Sequence, residues 1–273
     1  MDRLARPYDL AVRLRGGEVV LTAWSTAFTA PGVMAELAAA GYPAITFDMQ
    51  HGVHNIATLA DAIPRVVAHG TAPIVRVPVG DFASASRAVD YGATAVIAPM
   101  IDSAEDARRF VSHVKYLPLG QRSWGPAASM RLAGVSDPGV WLAGANDATL
   151  AFAMIESRPA LDALDDILRV PGLDGVFIGP ADLSIALTNG ARFAPSAEET
   201  QETAARVAAK AVAAGKLAGA FAVSTADAKR AAAAGFRLIA LGVDFALLHE
   251  AARATLASFA SDGTAAKGGR GGY

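Results

Sequence analysis

The sequence predicts an α/β fold, a (β/α)8 TIM barrel of eight parallel strands ringed by helices. Three observations carry this prediction. Eight apolar runs of strand length are spaced along the chain, and helix-like segments separate most of them. The runs are continuously apolar rather than alternating, as expected of parallel strands buried on both faces. A unit of alanine-rich helix, glycine and short apolar strand recurs at AELAAAGYPAITFD (35–48), RAVDYGATAVIAP (87–99), AAKAVAAGKLAGAFA (208–222) and KRAAAAGFRLIALG (229–242). Glycine suits the left-handed residue that closes a helix before the next strand begins.

The elements follow in order. A first strand near 19–24 ends at Trp24. A second, at 44–48, runs into FDMQHGVHN and presents Asp48, Gln50, His51, His54 and Asn55. The third, 73–77, carries Arg76 inside IVRVP, and the fourth spans 95–98. Ser103 with Asp106, Ser196 with Glu199 and Ser224 with Asp227 have the spacing of helix-opening capping boxes. The segment from Leu117 to Asp147 breaks the alternation and carries Trp124 and Trp141, predicting a loop with short helices over the barrel mouth. The fifth strand, 150–155, ends at Glu156. The sixth, 175–178, stops at Gly179-Pro180, and Asp182 follows at once. The seventh and eighth lie near 217–222 and 237–241, the latter leading to Asp244, which suits the N-cap of a last helix. Residues 245–260 read as an apolar-rich helix, and the tail from Ser261 has no apolar pattern. The expectation is one barrel domain over 1–260 with a flexible tail over 261–273. A doubly wound open sheet is the alternative, but no G-x-G-x-x-G follows the first strand.

Composition agrees with one enzyme-sized domain. The 273 residues fit a barrel of roughly 250, and 53% hydrophobic against 18% charged residues supplies a large core. A net charge of −2 gives no reason to expect nucleic acid. No run approaches the ~18 apolar residues of a membrane span, and no leader pattern opens the chain. Zero cysteines exclude disulfides and thiolate metal sites; cytoplasm is the default location.

Polar residues at several strand ends converge on one rim, where barrels do chemistry. Glu156 and Asp182, one acid after each of two buried strands, suggest a site for a hard divalent cation. Each also suits a structural role, Asp182 as a helix cap and Glu156 as a cap or salt-bridge partner. His54 lies three residues after His51, but Gly52 between them argues against a helical zinc pair.

The pieces FDMQHG, IVRVP, DYGATAVIAPM, LGQRSWG, IESRPALDALDDIL, GLDGVFIGPADLS and LIALGVDFALL resemble the HpcH/HpaI family of metal-dependent pyruvate aldolases, in the family's order and over roughly 20–255. The resemblance implies a reversible aldolase that cleaves a 4-hydroxy-2-oxo acid to pyruvate or hydroxypyruvate and an aldehyde through a metal-stabilised enolate. It implies that Glu156 and Asp182 hold Mg2+, Mn2+ or Co2+, and that Arg76 meets the keto oxygen. It makes His51 the acid/base residue, Asp90 its carboxylate partner and Asp48 part of the D-x-x-H signature. Trp24 would line the pyruvate pocket, with Gly179, Pro180 and Ala181 at the substrate. It further implies a homohexamer that exchanges a C-terminal helix, with neighbours contributing to the site.

Two positions depart from the family's pattern. Gln50 stands where glutamate is common before the histidine, and Met154 where glutamine is common before the metal glutamate. Two other functions fit the same residues: a lyase of acyl-CoA esters of the malyl-CoA or citryl-CoA type, and a barrel that binds 2-oxo acids without turnover. The first needs a basic groove for CoA phosphates, and no clear Lys/Arg cluster provides one; the second would not need a proton shuttle at His51.

Overall fold

The computed structural model describes residues 8–265. Eight parallel strands close in sequence order: β1 (Val20–Ser25), β2 (Ala44–Asp48), β3 (Ala72–Arg76), β4 (Ala95–Ala98), β5 (Leu150–Met154), β6 (Gly175–Ile178), β7 (Leu217–Ala222) and β8 (Leu238–Val243). β8 pairs with β1, so no strand edge is left open. The strands fall where the apolar runs place them.

Helices cover the outside: α1 (Leu10–Arg15), α2 (Pro31–Ala39), α3 (Ile56–Ala68), α4 (Phe82–Asp90), α5 (Ala104–Val114), α6 (Ala127–Ala133) and α7 (Pro138–Ala148) precede β5. After it come α8 (Arg158–Asp162), α9 (Leu164–Leu168), α10 (Pro180–Leu187), α11 (Glu198–Ala213), α12 (Thr225–Ala233) and α13 (Asp244–Ala265). The four recurrent glycines close their helices as expected, with φ of 105° at Gly41, 113° at Gly92, 71° at Gly215 and 101° at Gly235.

Alternation along each strand makes two cores. Ile45, Phe47, Val75, Val96, Ala153 and Ile178 face outward and pack under the helices. Val20, Trp24, Ile74, Ile97, Phe152, Met154 and Phe177 face inward and fill the barrel. Two glycines make room for the interior rings. A Cβ on Gly175 would lie 2.6 Å from Phe152, and one on Gly219 2.6 Å from Phe177. Leu10 and Leu14 of α1 close the amino-terminal end against Ala72, Ala95, Leu150 and Leu238.

Three expectations differ from the structure. The segment 117–147 does form short helices, α6 and α7, but its helices do not cover the mouth. Trp141 and Ala145 pack with Tyr8, Tyr116 and Ala133, and α7 runs beside α1. The reason is connectivity, because α7 must deliver the chain to Leu150, the amino-terminal start of β5. Ser196 does not cap α11, whose N-cap is Ala197; its hydroxyl donates instead to Asp227 at 2.9 Å. Ser103 and Ser224 do cap their helices. Finally, α13 runs to Ala265, past the expected boundary at Ser261, and the tail over 266–273 lies outside the described residues. Leu256 and Phe259 of α13 are 70% and 82% exposed, an apolar surface that none of the described residues covers. No helix among the described residues is long and apolar enough to cross a membrane.

Candidate active site

The inward register sets the site. Trp24 follows Val20 and Thr22 into the barrel, Arg76 follows Ala72 and Ile74, and Glu156 follows Phe152 and Met154. Asp48 and Gly179 keep the same parity on β2 and after β6. Period-two geometry thus brings residues far apart in sequence to one end of one cavity.

Asp48 is at the centre of the arrangement and has no exposed surface. Arg76 grips it with two parallel bonds, Nε to Oδ1 at 2.9 Å and Nη2 to Oδ2 at 2.6 Å. The Trp24 indole N–H donates to Oδ2 at 3.3 Å, and the Arg76 guanidinium lies 5.0 Å from the Trp24 ring centre. The backbone N–H groups of Gln50 and His51 donate to Oδ1 at 2.9 and 3.3 Å. Burial pushes the Asp48 carboxyl up, but the Arg76 hydrogen bond and charge, with the two amides, hold it below the ordinary range. With both oxygens engaged, Asp48 orients Arg76 and the turn that carries His51.

Glu156 has the opposite character. Oε1 accepts the Met100 N–H at 3.1 Å, whereas Oε2 is buried without a partner. Burial first, and the nearby Asp182 charge further, push its carboxyl up to about 7. Gly179 is required opposite it, since a Cβ there would run into Oε2 and approach the Met154 methyl at 2.9 Å. Met154 therefore puts a thioether where an amide could have served Oε2. Met100 adopts φ of 51°, a left-handed conformation that aims its N–H at Glu156.

Asp182 sits in the first turn of α10, exposed, with no hydrogen bond from its side chain among the described residues. The N-cap of α10 is Gly179, so Asp182 does not cap the helix. An orphaned buried carboxylate oxygen beside a free carboxylate fits a hard cation with oxygen ligands. Among the described residues no three His, Asp or Glu side chains gather, so any such ion would need further donors from substrate or water.

His51 is exposed at the mouth, and its imidazole has no hydrogen bond among the described residues. His54 is buried: Nε2 lies 2.7 Å from Ser25 Oγ and Nδ1 3.3 Å from Thr58 Oγ1, and its ring meets Phe47 edge-on. Burial lowers its pKa, partly offset by the Asp244 and Asp48 charges. His54 is therefore a structural neighbour of the site.

Asp90 requires a correction. α4 leaves the mouth after β3 and runs to the amino-terminal end, so its last residue, Asp90, lies at the face of the barrel opposite His51. Its carboxylate accepts Arg122 Nη1 at 2.6 Å, and within one chain it cannot partner His51. Arg122 in turn stacks on Tyr116 at 3.8 Å.

Asp244 exceeds the cap role. Its carboxylate accepts the N–H groups of Thr26, Ala27 and Phe28 at 3.0 to 3.2 Å, tying the β1–α2 loop to the start of α13. Ser25 and Asp102, which accepts the Ser157 hydroxyl, also belong to the rim. No local pattern marks them, because their partners come from other strands.

The barrel thus carries an arginine–aspartate pair and two acids at the carboxyl ends of its strands, the face where barrel enzymes do their chemistry. Residues 23–251 match the model of the HpcH/HpaI aldolase/citrate lyase family, and the chain belongs to that family. It is an enzyme of the aldolase type. It is 38% identical over 253 residues to 2-keto-3-deoxy-L-rhamnonate aldolase of Escherichia coli K12, covering 91% of this chain and 92% of that one. It is 34% identical over 251 residues to hydroxypyruvate/pyruvate aldolase of Roseovarius nubinhibens, covering 91% and 95%. The crystal structure of an HpcH/HpaI aldolase from Desulfitobacterium hafniense superposes with a TM-score of 0.84 at 26% identity, covering 94% and 97%.

Proposed function

We propose that this enzyme is a divalent-metal-dependent aldolase that reversibly joins pyruvate or hydroxypyruvate to an aldehyde. The observation that carries the reading is the buried, unpartnered Glu156 Oε2 beside Gly179, with the free Asp182 carboxylate next to it. Glu156 and Asp182 would hold Mg2+, Mn2+ or Co2+, which, when bound, acts as a Lewis acid on the 2-oxo group.

The chain's own residues do the rest. The α10 N-terminus lacks a side-chain cap, leaving its first free N–H groups, from Ala181 onward, to receive the substrate carboxylate. Gly179 and Pro180 let the substrate approach that backbone closely. Arg76, locked by Asp48, offers fixed positive charge to the keto oxygen as it becomes an enolate. Trp24 walls the pocket. In cleavage the C3–C4 bond breaks, its electron pair stays on C3 as the enolate, and C4 becomes the aldehyde carbon. His51 takes the proton of the C4 hydroxyl, directly or through water.

Among the described residues no carboxylate bonds the His51 imidazole, and another copy would supply one. Asp90 is displayed at the opposite face, and the exposed apolar surface of α13 supports association, in keeping with a hexamer that exchanges this helix. The acyl-CoA reading is not favoured by a mouth without a cluster of lysine and arginine, nor the non-catalytic reading by a free imidazole at that mouth.

The test is pyruvate C3–H exchange in D2O, followed by NMR, on protein stripped of metal and resupplied with Mn2+ or Mg2+. Metal-dependent exchange is expected. Folded protein that exchanges nothing with any divalent ion would overturn the reading.

A further inference from the structure

Asp244, the first residue of α13, is buried and gathers donors from one short segment at the end of β1. Ser25 Oγ donates to its carboxylate at 3.3 Å and Thr26 Oγ1 at 3.1 Å. The successive N–H groups of Thr26, Ala27 and Phe28 donate at 3.0, 3.0 and 3.2 Å. Consecutive backbone N–H groups that converge on one anion take their shape from it. The carboxylate therefore sets the path of residues 25–28.

That segment is the wall on which the His51 turn rests. The Val53 N–H donates to the Thr26 carbonyl at 2.9 Å, and His54 Nε2 lies 2.7 Å from Ser25 Oγ. Gly52 permits the approach, since a Cβ there would lie 2.4 Å from the Asp48 carbonyl oxygen and 3.0 Å from Thr26 Cα. On the other side the N–H groups of Gln50 and His51 hold Asp48. The His51 imidazole makes no hydrogen bond among the described residues, so within them only the turn aims it.

We infer that Asp244 is a positioning residue for His51, acting through residues 25–28 on the turn at 50–53. The inference rests on the proposed role of His51 in moving the C4 hydroxyl proton. That transfer requires the imidazole within reach of the hydroxyl or of one bridging water, and a shift on the order of 1 Å spoils it. Asp244→Ala leaves three consecutive N–H groups without their acceptor. The segment then loses its fixed path, and the turn loses one of its two supports.

The first measurement is backbone amide exchange on the full, assembled chain, parent against Asp244→Ala. Residues 26–28 and 50–55 should lose protection by about 10-fold or more, while β5 and β6 keep theirs. The second is condensation of pyruvate, on metal-loaded enzyme, with whichever of glycolaldehyde, propanal and glyoxylate the parent uses fastest. Asp244→Ala should lower kcat by about 10-fold or more with the KM for pyruvate little changed. In a His51→Ala background the same substitution should cost less than ~2-fold, whereas general damage to the fold would lower both backgrounds alike. Ser25→Ala removes one donor and the contact with His54 but leaves the backbone bonds. It should show the same pattern at smaller size, and it carries the test if Asp244→Ala does not fold. Unchanged protection at 50–55, or an equal fall in both backgrounds, would overturn the inference alone. A parent chain that condenses none of the three aldehydes, or whose condensation survives His51→Ala intact, would overturn the proposed role of His51 and this inference with it.

Discussion

The two ends of this barrel carry opposite charge for one physical reason and put it to different use. Parallel strands bring helix C-termini to the amino-terminal end and helix N-termini to the mouth. At the amino-terminal end cations answer exposed carbonyls. Lys115 donates to Asn146 and Thr149, Arg15 to Asp147, Lys216 to Leu173 and Arg237 to Ala232 and Phe236. Asp174 joins this set, 2.6 Å from Lys115 and 2.9 Å from Arg15. At the mouth carboxylates answer N–H groups, yet Glu156 Oε2, Asp182 and His51 are left open. At the amino-terminal end the cations are matched to carbonyls and carboxylates, although Tyr116 Oη, Arg122 Nε and Trp141 Nε1 stay buried without partners; at the mouth the open groups are carboxylates and an imidazole, which suit chemistry.

The sharpest way to break the comparison is Asp182→Ala. The side chain is exposed and unpaired, so stability should change by less than ~0.5 kcal/mol. Metal-dependent pyruvate exchange should nevertheless fall by about 10³-fold, the several kcal/mol a bound Lewis acid supplies. Normal exchange in that variant would remove the metal site from the mouth.

Asp48→Ala tests the one fully closed pair at the mouth. It leaves the Arg76 guanidinium buried against Trp24 without its counter-charge, and the expected loss is ~3–5 kcal/mol in urea denaturation. Exchange should fall as well, since Arg76 loses its orientation. A stable, active variant would show that Arg76 needs no such holder.

Lys115→Met applies a comparable insult to the other end. Lys115 is 1% exposed, and burial lowers its pKa while Asp174 counters. Arg15 still answers Asp174 in the variant, so the loss should be smaller, ~2–3 kcal/mol. Exchange per folded molecule should not change. A fall in exchange would show that the two ends are coupled.

The smallest effect is the pH response of His54. Its folded pKa is lowered, chiefly by burial, so below about pH 6.5 the unfolded chain takes up a proton that the folded chain resists. Stability from this group is therefore full above that pH and declines as pH falls. Denaturant titrations at pH 7.5 and 5.5 should show a smaller decline for His54→Gln than for the parent chain. Equal declines would mean that His54 protonates as easily folded as unfolded.

Much of this protein is legible along the chain because the information is local. Largely apolar runs mark β1 to β8, since a strand buried on both faces carries a polar residue only where it is paired, as Thr22 and Thr46 are to each other at 2.8 Å. Gly41, Gly92, Gly215 and Gly235 mark helix ends, since each must adopt positive φ. Glu156 and Asp182 stand out as lone acids at the ends of such runs. Tertiary structure alone decided what these groups face. Ser196 has cap spacing but bonds Asp227 on another helix, and Asp244 looks like a local cap but holds a loop more than 200 residues away in sequence. Asp90 lies one helix away from Arg76 in sequence, and the direction of α4 sends it to the far end of the barrel. Strand period and helix termination depend on neighbouring residues, whereas the partner of a carboxylate depends on how eight strands close.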